Sequence, residues 1–281
     1  MARTMWFGPP GHLKPIKVHQ GGGGHSPVGY TESVQFLNGR KAVRRSLGSH
    51  MEYDWTWTGK RREVAHLIDC YNGDFGEAPF FFLDPMWTKY NVLPSHWASP
   101  AKSAKDAPLI YGVQRPALAS TPANTRGWPS HGAVFQRQTS VSPKELYIPI
   151  PPGMRLHVWY AGTSGILRLV SMSGNDRGGV ITPYVSNVTD NLVTQQHSTV
   201  TAGVSVDGAL LSVQISSAQG EGTIYGIRAV VVPVGFDLAK LEQDFIGGRG
   251  HSGVDFETLT ISPYSEPFDS VGLTARLIEV D

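Results

Sequence analysis

Apolar and polar residues alternate along much of this chain, which is the pattern of strands that bury one face. The clearest early case is Tyr53, Trp55 and Trp57, which are separated by polar residues. Upstream of them, Asn38-Gly39 lies between two alternating runs and is a strong signal for a tight hairpin turn. These patterns predict a β-rich N-terminal region that contains a hairpin.

Residues 59–72 depart from this alternation and have the period of a helix. Their apolar positions are Val64, Leu67, Ile68 and Tyr71. Thr58 is placed to cap the N-terminus of this helix, and Gly73 is placed to end it. The bulky run that follows, Pro79 to Leu83, is too short for a helix and predicts a buried strand.

The second half of the chain contains several short strand patterns separated by turn residues. They are Leu146 to Ile150, Met154 to Tyr160, Ile166 to Val170, Leu211 to Ile215 and Ile224 to Val232. This spacing predicts a β-sandwich or jelly roll, which we bound at residues 136–235. Residues 101–135 are rich in Pro, Ala, Ser and Thr without periodicity, so they predict a linker or an arm.

Residues 236–281 predict the parts that complete the first domain. Phe236 to Phe245 has the pattern of a short amphipathic helix, and Phe256 to Ile261 and Leu273 to Val280 have the pattern of two closing strands. We expect strands of the first region to pair with them. The predicted fold is therefore mainly β, with a first domain (1–100 and 236–281) that is split by the inserted sandwich.

Composition suggests that the protein assembles. Only 17% of the 281 residues are charged, against about 25% in an average soluble protein. An isolated monomer needs surface charge for solubility, so this value suggests that neighbouring subunits cover part of the surface. The alternative is a β-rich monomer whose surface is mostly Ser, Thr, Gly and Asn.

Charge also restricts the class of partner. The net charge of +1 provides no overall field for nucleic acid or an anionic membrane. The one basic cluster, Arg40, Lys41, Arg44 and Arg45, has no interleaved aromatic residues of the kind that bind single strands. No apolar run is long enough for a membrane span or a signal peptide. We expect folding in a cytoplasm, without nucleic-acid binding or membrane insertion.

The N-terminal region contains three histidines close together and one cysteine, which are residue types that bind metals. We expect no metal at either. His12, His19 and His25 lie around Gly21 to Gly24, a run that predicts a mobile loop or one that orders only against a partner. Metal ligands need a rigid frame, which such a loop lacks. The single cysteine, Cys70, excludes a cysteine-rich zinc site, and we expect it to be a small core residue.

Three motifs suggest catalysis, and none has the required context. Gly248, Gly250 and Gly253 match G-x-G-x-x-G, but a dinucleotide site needs a strand before the motif and a helix after it, and here that order is reversed. His251-Ser252, near Asp255, are adjacent residues whose side chains diverge, and no G-x-S-x-G elbow occurs. The clustered carboxylates, which we expect to be structural, are Asp74, Glu77 and Asp84. We expect no cofactor and no enzymatic activity.

Trp159 is the one residue that we single out as a candidate contact. It lies on the polar face of its predicted strand, opposite Leu156 and Val158. An outward Trp on a β-sandwich can stack on a sugar ring or lie in a subunit interface. The alternative is edge packing beneath a loop.

A family resemblance is carried by residues 53–100 and by the last part of the chain. Its features are an aromatic strand, a helix ending at Tyr71-Asn72-Gly73, the run Gly76 to Phe82, Asp84-Pro85, Asn91 to Pro94 and Trp97 to Pro100. They resemble the minor tail proteins of actinobacterial long-tailed phages, and the sequence from Gly248 onward is similar to the close of those proteins. The two stretches make up about half of the chain.

The order of elements also resembles that of the distal tail protein of such phages. This resemblance implies a tail-tube-like first domain that closes into a ring, commonly a hexamer, and a galectin-like or carbohydrate-binding-module-like sandwich. The implied partners are copies of the chain, the tail tube protein and other tail-tip or baseplate proteins. The implied location is the virion tail tip, after synthesis in the host cytoplasm. The resemblance implies no catalytic residues.

Three functions therefore compete. The leading hypothesis is a structural ring or hub subunit that joins the tail tube to baseplate or fibre proteins. The second is an adhesion module that binds host surface glycans through Trp159 and residues 189–196. The third is a cell-wall hydrolase, for which the sequence supplies no nucleophile elbow, metal spacing or acid pair. Ring symmetry, the neighbouring tail proteins and the host receptor are not specified by the sequence.

Overall fold

The fold is mainly β, as the sequence predicts. The computed structural model describes residues 4–18, 20–28, 31–35, 41–45, 50–84, 88, 90–99, 113–120, 129, 131–136, 145–163, 165–173, 176–180, 195–201, 207–215, 221–241, 248, 250, 253–263 and 270–280. Its strands are β1 (Thr4–Gly8), β2 (Lys14–Lys17), β3 (Gln20–Val28), β4 (Thr31–Gln35), β5 (Lys41–Arg45), β6 (His50–Lys60), β7 (Phe81–Leu83), β8 (Val113–Ser120), β9 (His131–Gln136), β10 (Leu146–Pro149), β11 (Met154–Thr163), β12 (Gly165–Ser173), β13 (Asp176–Val180), β14 (Gln195–Thr201), β15 (Gly208–Ile215), β16 (Glu221–Pro233), β17 (Val254–Pro263) and β18 (Ser270–Glu279). Its helices are α1 (Ala65–Tyr71) and α2 (Ser95–Ala98), with 3-10 turns at Arg61–Glu63 and Leu238–Lys240.

The chain forms two compact units, and each is built from separated parts of the sequence. Unit 1 comprises Met1–Arg3, Ile16–Phe80 and Gly253–Asp281, and unit 2 comprises Thr4–Pro15 and Phe81–Ser252. Unit 1 contains a four-stranded sheet, β17-β18-β6-β3, and a two-stranded sheet, β4-β5. Unit 2 contains sheets β10-β15-β12-β13 and β14-β11-β16-β9-β8. Strands β1 and β7 belong to a smaller sheet, β2-β1-β7.

Strand β6 supplies much of the buried face of unit 1. Tyr53, Trp55 and Trp57 are buried and alternate with exposed polar residues, as the sequence pattern predicts. Strand β18 pairs with β6 and places Leu273 opposite Trp57 and Leu277 opposite Tyr53. Residues opposite one another share a face of a sheet, so these side chains form one apolar layer. The prediction that closing strands return to pair with the first region is confirmed.

The core of unit 2 lies between its two larger sheets, which pack face to face as a β-sandwich. Its buried residues from the two sheets include Ile148, Leu169 and Leu211 on one side, and Leu156, Val158, Tyr160, Ala229 and Val231 on the other. The β11–β16 register shifts between Ala161 and Gly162. This bulge lets both Ile224 and Ile227 reach the core although they are an odd number of residues apart.

Helix α1 begins later than the sequence predicts. A 3-10 turn with Lys60 at its N-cap precedes the helix, so Thr58, the predicted N-cap, lies in β6. The Glu63 carboxylate accepts a hydrogen bond from the Lys60 N–H at 3.3 Å and fixes this tighter turn. The predicted helix end is confirmed, because Gly73 adopts a φ of 83° just after α1, a conformation that favours glycine.

Two stretches predicted as irregular contain strands. Gly21 to Gly24 lie in β3, which pairs with β6 through a register shift between Gln20 and Gly24. The segment 101–135, predicted as a linker or arm, contributes β8 and β9, and β9 pairs with β16. In both cases a strand distant in sequence supplies the backbone partners, which a local pattern does not reveal.

The predicted N-terminal hairpin is present as β4 paired antiparallel with β5. The turn signal itself, Asn38-Gly39, lies outside the described residues, as do His19 and residues 189–194.

Candidate functional site

Trp159 lies in β11 on the outer face of the five-stranded sheet of unit 2. It packs with Val230 and Val232 of the neighbouring strand β16 rather than with the sandwich core. Its ring stacks on His157 with a centroid distance of 5.9 Å and an interplanar angle of 19°. The guanidinium carbon of Arg228 lies 5.5 Å from the ring centre, within the range of a cation–π contact.

The segment that follows β16 covers part of this surface. The Asp237 carboxylate accepts a hydrogen bond from the Ala239 N–H at 3.1 Å and starts a 3-10 turn where a longer helix is predicted. Phe236 and Leu238 pack against the same apolar cluster as Trp159, and Leu241 is buried in it. A sugar platform needs an open aromatic face, so these contacts favour the packing role of Trp159.

The glycine-rich segment near residue 250 has a packing function in unit 2. The Gly250 N–H donates to the Leu93 carbonyl at 3.0 Å. A Cβ at Gly250 would overlap the Val92 carbonyl oxygen, and one at Gly248 would overlap the Leu93 carbonyl oxygen. The backbone at these glycines lies so close to the backbone of Val92 and Leu93 that a larger residue would not fit. This packing accounts for the G-x-G pattern without a bound dinucleotide.

Replacing Gly250 with alanine is expected to lower the free energy of unfolding by about 3 kcal/mol, because the new methyl group overlaps backbone rather than a movable side chain. Urea unfolding followed by tryptophan fluorescence measures this change. The matched control is Gly235→Ala, where no atom lies near the added Cβ but φ is 85°. Left-handed strain alone should cost about 1–2 kcal/mol there. Equal losses in the two variants would contradict the packing interpretation.

The other catalytic candidates are placed as follows. His251 and Ser252 lie outside the described residues. The Asp255 carboxylate accepts a hydrogen bond from the adjacent Phe256 N–H at 2.7 Å. Asp74 and Glu77 are exposed. No arrangement of a nucleophile with a base is formed by the described members of this set.

Cys70 is buried on α1, in agreement with its predicted core position. Its side chain is 1% exposed, and its Sγ lies 3.7 Å from His66 Nε2, one helical turn away. His66 is also buried and contacts the Phe75 ring at 5.0 Å. Both side chains belong to the packed interior of unit 1.

A small cavity in unit 2 lies between β7 and β10. Its lining is mostly apolar and aromatic, and it includes the ionisable side chains of Asp84 and Tyr147. The cavity volume of about 40 Å³ holds about three waters, whereas small-molecule sites typically have about 300–1,000 Å³. Within the described part of the chain, no group of three or more His, Cys, Asp or Glu side chains could hold a metal ion. No helix in that part is long and apolar enough to cross a membrane.

The surface of unit 1 that is best suited to an interaction is the outer edge of β17. One side of this strand pairs with β18, and on its other side the pairing found among the described residues is a single bridge from Phe80 to Val254. Ile261, farther along the strand, is 42% exposed although Leu273, opposite it on β18, is buried. A strand at the border of a sheet is a template for pairing with another chain, and an exposed apolar side chain on it favours such a contact.

This edge could not be predicted from the sequence. The alternation that predicts β17 also predicts a buried face, and it contains no information on which strand lies at the border of the sheet. Strand β3 is the opposite border of the same sheet.

Comparisons with known proteins assign no family. No protein-family model matches the chain, and no curated protein matches it significantly. One solved structure with limited similarity contains the CBM22-1 and GH10 modules of the Clostridium thermocellum endo-1,4-beta-D-xylanase 10B with xylohexaose. The match has 9% sequence identity and a TM-score of 0.26, and it covers 51% of this chain and 28% of that chain. A TM-score this low supports no conclusion about the function of this chain.

Proposed function

We propose that this chain is a structural subunit that assembles with copies of itself into a ring at the tip of a long-tailed phage tail. There it joins the tail tube to baseplate or fibre proteins. The observation that supports the self-assembly is the position of β17 at the border of its sheet in unit 1, with the apolar side chain of Ile261 exposed on it. The phage location rests on the sequence resemblance of residues 53–100 and of the end of the chain.

The strand order of unit 1 supports a closed ring. All neighbouring strands in β17-β18-β6-β3 are antiparallel, and their number is even, so the two border strands run in opposite directions. A rotation about an axis parallel to the strands therefore places β17 of one copy beside β3 of the next with antiparallel pairing. Head-to-tail contacts of this kind form a closed ring when a whole number of copies completes a rotation of 360°. A hexamer is the ring that the resemblance implies.

Replacing Ile261 with lysine is expected to convert the assembled protein into monomers over the concentration range in which the original chain forms rings. The change places a charge on an edge that should be buried between copies, which disfavours strand pairing. Analytical ultracentrifugation of the full chain measures the effect as an increase of at least about tenfold in the dissociation constant. The matched control is Val234→Lys, an apolar residue that is 49% exposed in unit 2. This control should assemble like the original chain.

Two results would overturn the proposal at different levels. A chain that stays monomeric at high concentration would exclude the ring, and an Ile261→Lys variant that assembles normally would exclude the β17 edge. Mass spectrometry of purified virions tests the location, which would be wrong if the subunit were absent from particles.

A further inference from the structure

The outer face of the four-stranded sheet of unit 1 is polar and lies opposite the buried tryptophans. On β6 it is formed by every second residue, from Glu52 near one end of the strand to Lys60 at the other. Strands β18 and β17 continue this face, since Thr56 is opposite Thr274, which is opposite Thr260. The three threonines are exposed. The middle of the outer face is therefore a polar, uncharged surface that is open to solvent.

One end of the outer face is acidic. Arg276 contacts Glu52 at 2.5 Å, Glu257 at 2.9 Å and Asp54 at 3.9 Å. Three carboxylates around one guanidinium leave two negative charges on this acidic end. The charges are accessible, since the side chain of Asp54 is 65% exposed and that of Glu257 is 44% exposed.

The opposite end of the outer face is basic. Lys60 is the last residue of β6, and Arg61 and Arg62 follow it in the 3-10 turn. All three residues are exposed. The neighbouring Lys17 and Glu63 pair with each other at 3.2 Å, so their charges cancel. The basic end, Lys60 to Arg62, therefore carries three positive charges.

We propose that two copies of the chain pack their outer faces together, with the acidic end of each copy on the basic end of the other. A rotation of 180° about an axis that is parallel to the sheet and perpendicular to its strands turns the two faces towards each other and reverses the strand direction. Asp54 and Lys60 are six residues apart, or roughly 20 Å along the strand, so the two ends are well separated and match in reverse order. Twofold symmetry forms this neutralising contact twice.

The two signs of charge on one face identify a second copy as the occupant. A polyanion such as nucleic acid is attracted by the basic end but repelled by the acidic end, and a polycation meets the reverse. A suitable partner carries both signs at the same spacing, and the outer face of a second copy has this arrangement.

The size of the outer face predicts a weak dimer. Strands β17, β18 and β6 have ten or eleven residues each, which gives a flat area of roughly 500 Å². A standard interface buries about 800 Å² per partner. This contact goes beyond the proposed ring, because it uses side chains on the face of the sheet, whereas the ring uses the backbone of its border strands.

Reversal of charge at each end tests the contact in the full chain. Arg61→Glu/Arg62→Glu gives both ends negative charge, and Asp54→Lys/Glu257→Lys gives both ends positive charge. Each variant should raise the dimer dissociation constant by about tenfold or more in ultracentrifugation at low salt. An equimolar mixture of the two variants should recover the dimer, because a negative face then meets a positive one. Rising salt should weaken the dimer of the original chain, since exposed charges are screened.

The matched control is Asp74→Lys/Glu77→Lys, which reverses two exposed acidic charges after α1 and should leave the dimer unchanged. Asp54→Asn/Glu257→Gln removes charge without new repulsion around Arg276 and should also weaken the dimer. Circular dichroism verifies that each variant is folded.

Three results would overturn the face contact. They are a mixture that stays monomeric, a control that weakens the dimer as much as the test variants do, and a dimer that neither end variant weakens. Repeating the measurements with Ile261→Lys separates this contact from the ring. A dimer that persists in Ile261→Lys and is lost on charge reversal supports the face contact whether or not rings form. Loss of all association in Ile261→Lys alone would overturn the face contact and leave the ring intact.

Discussion

Replacing Asn91 with alanine is expected to lower the free energy of unfolding by about 3–5 kcal/mol. Asn91 is fully buried in unit 2. Its Nδ2 donates to the Ile227 carbonyl at 2.8 Å, and its Oδ1 accepts from the N–H groups of Ala229 at 3.0 Å and Leu93 at 3.4 Å. Alanine leaves these buried backbone groups without their partner, and each orphaned group costs about 1–3 kcal/mol.

The loss should be visible as a lower urea midpoint in tryptophan fluorescence, because Trp97 belongs to the adjoining core. Asn72→Ala is the matched control, since Asn72 is exposed just after α1 and should change the free energy of unfolding by less than about 0.5 kcal/mol. Equal midpoints for Asn91→Ala and the original chain would show that water or a rearrangement replaces the amide.

The second large effect is destabilisation at alkaline pH. Burial raises the pKa of Tyr53, Tyr147 and Tyr160 well above the ordinary value, and nearby Glu279 and Asp207 add to the effect for Tyr53 and Tyr147 respectively. An unfolded chain loses these phenolic protons near pH 10, whereas the folded chain keeps them. The free energy of unfolding is therefore unaffected by these tyrosines below about pH 10. Above that pH it falls by about 1.4 kcal/mol per pH unit for each tyrosine, or by about 4 kcal/mol per pH unit for the three together.

Urea unfolding at a series of pH values above neutrality measures this slope, and tyrosinate absorbance reports the titration directly. Tyr160→Phe should reduce the slope by about one third. The variant is well suited to the test because the Tyr160 hydroxyl has no hydrogen-bond partner among the described residues, so its removal leaves no described group unsatisfied. A slope that is unchanged in Tyr160→Phe would exclude this tyrosine as a source of the alkaline loss.

The elements that could be predicted from the sequence are those with a local pattern of apolar residues. Tyr53, Trp55 and Trp57 define the buried face of β6 with no other information, because a strand that buries one face leaves a period of two in its residues. Strands β10 and β16 of the sandwich are buried at nearly every position, and they could be predicted because their apolar runs are short and lie between turn residues. The predicted mainly β fold with closing strands is confirmed.

The strands that could not be predicted are those in which the alternation of apolar and polar residues is broken. Strand β8 contains Pro116, and its register with β9 shifts between Gln114 and Leu118. Strand β3 contains four glycines, which have no side chains to form a pattern. Their strand geometry depends on β9 and β6, which lie elsewhere in the sequence.

The candidate site was even less accessible to sequence reasoning. Trp159 could be placed on the outer face of its strand, but the segment containing Phe236 and Leu238 that packs against it could not. Asn91 had no local signal of its own, since its partners Ile227 and Ala229 are far away in sequence. The sequence also contains no marker of the exposed β17 edge, which is defined by the order of strands. The role of Trp159 in binding a glycan or another subunit remains a prediction.

The position of β18 has a consequence for how the chain folds during translation. This strand lies in the interior of its sheet, between β17 and β6, yet the ribosome makes it only after all of unit 2. At about 5–20 residues per second, β6 waits on the order of 10–40 seconds for β18, and until then the neighbour available to it in the sheet is β3. A nascent chain can complete unit 2 first, but the sheet of unit 1 is incomplete until β18 has been made and has paired with β6 and β17. If the chain assembles into the proposed ring, a product released before β18 would lack the paired edges, and incorporation of a subunit would require synthesis through β18.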